Sequence, residues 1–195
     1  MSKTSELPYP PQSGGFEPEG GVGARPAPGP GLLASVVVLA GSGVLGLGGG
    51  LAWALLAPRV AYQVVGRGSA DAINPETSGF IAADAWFCVI GVACGLIIGL
   101  VGYLYAVRRY GPAPMVAIGA GSVGAALLAR YVGQNWGLSQ FNHRLLTSPN
   151  GTLLHAPLVL GGDTSAILWP AIGFWPLAAC VTAGALVLMF SIRGH

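Results

Sequence analysis

The string MVAIGAGSVGAALLARYVG at 115–133 sets Gly119, Gly121 and Gly124 in the spacing G-x-G-x-x-G. In a strand-turn-helix unit such glycines let the backbone approach a dinucleotide pyrophosphate, and an acidic residue about twenty positions on holds the ribose. Here the acid is missing, because no Asp or Glu occurs between Asp84 and Asp163. GSGVLG at 41–46 repeats the spacing, as expected by chance in a chain with 32 glycines. No nucleotide or other cofactor is expected.

Other reactive side chains are no better arranged. Cys88, Cys94 and Cys180 lie within apolar stretches, where they read as small buried hydrophobes and not as a disulfide framework or a metal site. His143, His155 and His195 lack metal-ligand spacing, and no Ser/His/Asp set or carboxylate pair stands out. Neither an enzyme nor a metal protein is expected. Asn150-Gly151-Thr152 matches a glycosylation sequon, but a turn is the simpler reading. Asp84 and Arg130 form a candidate charged pair near the membrane interface. Asp84 suits an N-cap for the apolar run that follows it. Arg130 falls inside another run, where an ionisable side chain marks a functional site by default and otherwise snorkels to the headgroups.

The elements that would position these residues follow from the composition. The chain is 53% hydrophobic and 8% charged, with a mean hydropathy of +0.65, whereas soluble domains are about a quarter charged. Its 9 basic and 7 acidic residues leave uncharged runs at 26–58, 85–107, 110–129 and 164–192. A spanning helix needs about 20 apolar residues. Four spans are therefore predicted, near 32–57, 85–107, 113–136 and 167–191, forming an all-α bundle over 32–192.

Residues 1–31, rich in Pro and Gly, hold too few apolar side chains for a core and read as a disordered cytoplasmic tail. A tail before the first apolar stretch, together with that stretch's length, argues for a retained anchor and against a cleaved signal peptide. With both termini inside, the cytoplasmic face carries Lys3, Arg25, Arg108, Arg109 and Arg193, and the outer face Arg59, Arg67, Arg130 and Arg144. The Arg108-Arg109 pair in a short loop decides for cytoplasmic termini. Trp53, Trp86, Trp136 and Trp169 are expected at one interface, and Tyr103, Tyr105 and Tyr110 at the other.

The longer connections, 58–84 and 137–166, share the tryptophan side. RVAYQVV at 59–65 alternates like a strand, and SPNG at 148–151 is a turn signal that feeds TLLHAPLVL. Pro157 confines that second strand to an edge. These loops are expected to form a small extracytoplasmic β-cap.

Small residues at four-residue spacing share one helix face and let lipid-embedded helices approach closely. The first span offers Ser42, Gly46 and Gly50, the second Gly91, Gly95 and Gly99, and the third Ala117, Gly121, Ala125 and Ala129. The 91–95–99 face is expected to meet another helix, of the same chain or a neighbour.

WALLAPRV at 53–60, FIAADAWF at 80–87, RRYGP at 108–112, SPNGTLLHAPLVL at 148–160 and LWP at 168–170 resemble an actinobacterial family of small four-span membrane proteins known only as a domain of unknown function. The resemblance covers about residues 32–192. It implies an integral protein of the bacterial cell envelope and brings no catalytic residues, substrate or cofactor. The expected function is a non-enzymatic packing, accessory or assembly component of the plasma membrane. The expected partners are lipid and either further copies of the chain or a larger membrane complex, without nucleic acid. The alternative is a transporter or channel subunit acting as an oligomer.

Overall fold

The computed structural model describes residues 29–66, 68–73, 78–160 and 165–193; the N-terminal tail lies outside them. Helix α1 (Pro30–Leu56) begins with proline at its first position, where a missing N–H costs nothing. It stops at Ala57, whose backbone is extended because Pro58 follows. Helix α2 (Ser78–Gly102) continues through a π-helical turn at Tyr103–Val107 and a last turn at Arg108–Tyr110. Helix α3 covers Met115–Asn135, α4 Leu138–Thr147 and α5 Ser165–Arg193, with Pro170 and Pro176 inside α5.

Among the described residues four helical stretches are long and apolar enough to cross a membrane, the pattern of a multi-pass membrane protein. The second span begins at Ser78, about two turns before the uncharged run at 85. Asp84 is therefore inside α2 and is not its N-cap. The helix starts where Gly79, Phe80 and Ile81 already supply apolar sequence, so the last acidic residue does not mark its end.

Spans α1 and α3 run parallel and in close contact, as do α2 and α5. The buried hydroxyls between spans stay within their own helices. Ser42 Oγ donates to the Val38 carbonyl and Ser122 Oγ to the Gly119 carbonyl, each at 2.8 Å, which satisfies them without a partner helix. Gly119, Gly121 and Gly124 all lie within α3, so no glycine-rich loop forms there.

The tryptophan side of the bundle carries a cap. Its antiparallel sheet has the order β2-β1-β3, from β1 (Ala61–Gly66), β2 (Ser69–Ala72) and β3 (Leu153–His155). Gly68 turns β1 into β2 at φ +80°. Gly151, at φ +89°, donates its N–H to the Val64 carbonyl at 2.8 Å and so brings the second connection onto β1. The third strand is an edge and ends before Pro157, whose ring nitrogen has no hydrogen to give a ladder. Val64, Leu154, Leu158 and Leu160 bury the cap's apolar side.

The connection 137–166 is not all loop, contrary to the sequence expectation, because α4 occupies its first third. Two aromatic residues also depart from the expected belts. Trp53 is wholly buried and donates its indole N–H to the Ala83 carbonyl at 2.8 Å. Tyr103 is buried in the π-turn and stacks on Phe190 at 5.8 Å between centroids. Trp86, Trp136, Tyr105 and Tyr110 remain exposed, as belt residues would be; the side chain of Trp169 lies outside the described residues.

Candidate functional site

The small-residue stripes are where the helices touch. Ser42 faces Gly121, Gly46 faces Ala125 and Gly50 faces Ala129, with Ala117 buried one turn earlier on the same α3 face. A Cβ added at Gly46 would stand 2.5 Å from the Ala125 carbonyl oxygen, and one at Gly50 2.5 Å from that of Ala129. No real Cβ sits so close, so only glycine permits this backbone approach. The stripe of Gly91, Gly95 and Gly99 meets α5 of the same chain, against Trp175, Ala178, Ala179 and Thr182.

Where the stripes reach the cap side, aromatic rings fill the midline. Trp53 meets Phe87 edge to face at 5.1 Å between centroids, and Phe87 meets Trp175 at 5.7 Å. All three rings are fully buried. Gly133 makes room for Trp53, and Gly49 and Gly91 make room for Trp175. The structure puts Asp84 and Arg130 at the cap side of α2 and α3, both half-buried. The Arg130 Nε is buried without a hydrogen-bond partner, and so is the Trp175 Nε1. Of the cysteines, Cys88 and Cys94 are half-buried and Cys180 is exposed. The expectation of burial therefore fails for Cys180, which is exposed although its Sγ lies beside Gly119 of α3.

The cap holds two hollows that share one wall. Helix α4 follows α3 after a break at Gly137, whose φ of +82° is left-handed and stops the span. Its half-buried residues Leu138, Phe141 and Leu145 recur at helical spacing, while Gln140, His143 and Arg144 are exposed. The first hollow, about 410 Å³, lies between that apolar face, the sheet and the start of α2. Tyr62, Ala70, Phe80, Phe141, Leu145 and Leu158 are among its walls. The second, about 300 Å³, is lined by Arg59, Gln140, Arg144 and His155 together with Phe141 and the β3 backbone region. Arg59 Nη2 donates to the Ala54 carbonyl at 3.1 Å, which folds its guanidinium back over the C-terminal end of α1. There the unsatisfied carbonyls and the helix dipole favour a cation.

None of these cap residues stood out as a site in the sequence. The signal for α4 was present in the spacing of Leu138, Phe141 and Leu145. That Arg59 and Arg144, 85 positions apart in the chain, line one hollow follows only from the sheet, because β1 and β3 pair and draw both connections together. Among the described residues no group of His, Cys, Asp and Glu is set to hold a metal ion. Comparison of the chain with protein-family models, with curated proteins and with solved structures finds no match.

Proposed function

We propose that this chain is a non-enzymatic accessory or assembly component of the bacterial plasma membrane, with both termini cytoplasmic and the cap on the outer face. One observation carries the reading: α1 meets α3 and α2 meets α5 backbone to backbone around buried aromatic rings, and the hollow of about 220 Å³ left between α1 and α2 has a mostly apolar lining, whereas the hollow lined by cationic side chains lies in the cap. A bundle packed this way serves as a rigid support, and recognition belongs to the cap. A transport path would need polar groups through the midplane, whereas the buried hydroxyls of Ser42 and Ser122 bond to their own helices. The resemblance to actinobacterial four-span proteins supports the placement in an envelope.

Photocrosslinking from single positions in cells tests this. Probes at Val65 and Leu146, exposed cap residues outside both hollows, should give one discrete protein adduct, and probes at the exposed span residues Val44 and Leu188 should give none. Solute or ion flux through liposomes containing the purified chain alone, with no adduct from the cap, would favour the transporter reading instead.

A further inference from the structure

Phe141 lines both hollows, so the apolar space of about 410 Å³ and the basic space of about 300 Å³ adjoin across one ring. The first has the size and lining of a small-molecule pocket, which spans roughly 300–1,000 Å³ and is mostly apolar. The second presents two arginines, whose planar guanidinium groups match phosphate oxygens with paired N–H groups. Gln140 and His155 add further polar groups, and among the described residues no acidic side chain lines it. A ligand fitting both is anionic at one end and apolar at the other.

The level of the hollows says where such a molecule comes from. Gly137, which lines the basic hollow, directly follows Trp136, and that ring is 47% exposed at the end of a span. Exposed tryptophans at span ends sit among lipid headgroups. Arg59 lies three residues beyond the end of α1 and reaches back to Ala54, at the same level. We infer that the twin hollow binds one anionic phospholipid of the surrounding bilayer. Its phosphate lies between Arg59 and Arg144, and one acyl chain passes Phe141 into the apolar hollow. This rests on the reading of the cap as the recognising part of the molecule and gives it a ligand class.

Native mass spectrometry of the full chain in neutral detergent tests the inference, with phosphatidylglycerol, phosphatidylcholine and inorganic phosphate as separate probes. Wild type should retain one phosphatidylglycerol per chain and prefer it to phosphatidylcholine. Losing both arginine contacts in R59Q/R144Q should weaken retention about tenfold or more. Should the double variant fold poorly because Arg59 caps α1, Arg144→Gln alone carries the same expectation, since Arg144 is exposed. Ala70→Phe should reduce lipid binding by filling the apolar hollow, and Arg108→Gln, at the far end of α2, should leave it unchanged.

Equal retention of phosphatidylcholine, or an equal loss in Arg108→Gln, would overturn the proposal. So would inorganic phosphate binding as tightly as the lipid and unaffected by Ala70→Phe, which would make the site one for a free anion. Cap crosslinking to a protein in cells and lipid retention by the purified chain are read separately, so failure of one reading does not imitate failure of the other.

Discussion

At the scale of single residues, two glycines of one helix separate close packing from mere glycine abundance. A Cβ on Gly46 would stand 2.5 Å from the Ala125 carbonyl oxygen, whereas one on Gly48 meets nothing within 4 Å. Gly46→Ala should therefore push α1 and α3 apart and destabilise the chain by about 1–3 kcal/mol, the usual cost of overpacking. Gly48→Ala should be neutral or slightly stabilising, because alanine is the better helix former by about 1 kcal/mol at most. Thermal melting of both variants in detergent checks the pair, and equal midpoints would refute this packing. Gly95→Leu should be worse than Gly46→Ala, since even its Cβ would lie 2.6 Å from the Trp175 carbonyl oxygen and larger atoms must follow. The four-residue spacing of these stripes is legible in the sequence, because it fixes which residues share a face. Their partners are not legible, because spacing says nothing about the opposing helix. Trp53 was misplaced for a related reason: its amphipathic ring suits a membrane interface equally well, and only the Ala83 carbonyl within reach turns it inward.

At the scale of elements, the cap depends on how α3 ends. Gly137 holds φ +82°, a region that costs any residue with a Cβ on the order of 1 kcal/mol or more. Without that break α3 would run on, and Phe141 and Leu145 would leave the cap. Gly137→Ala is expected to loosen α4 and the sheet while sparing the spans. Hydrogen exchange should then show faster exchange at 138–155 and unchanged protection in 85–102 and 115–129; uniform change across the chain would contradict this division. The four spans were readable because length and apolarity alone decide them in lipid. The β1 strand showed through its alternation and β3 through its turn, whereas β2 did not, since Ser69-Ala70-Asp71-Ala72 has little strand propensity and exists by pairing with β1 across the Gly68 turn. Helix α4 was hidden by its shortness and by the polar residues on its exposed side, although its apolar spacing was present.

At the scale of the whole molecule, the fold gathers the two long connections at one end of the bundle and leaves the 111–114 turn at the other. A sheet whose strands come from both connections makes this grouping strict, since β1 and β3 could not pair across a bilayer. Only the absolute direction is then open to the charge distribution. Arg108 and Arg109 close the short-turn end, with Arg108 lying over the Phe190 ring at 5.6 Å from its centroid, and the bias of short-loop arginines toward the cytoplasm is what supports the proposed orientation. Cys88, Cys94 and Cys180 can be replaced by alanine to give a background for labelling. In it, Ser69→Cys and Thr147→Cys, both exposed in the cap, should react with a membrane-impermeant maleimide in intact cells. Ala113→Cys, exposed in the turn beside the retained arginine pair, should react only after the membrane is opened. Labelling of Ala113→Cys alone in intact cells would invert the orientation and place the basic hollow in the cytoplasm. Labelling of Ser69→Cys without Thr147→Cys would separate the two connections, and with them the sheet, the shared Phe141 wall and the bundle of four spans.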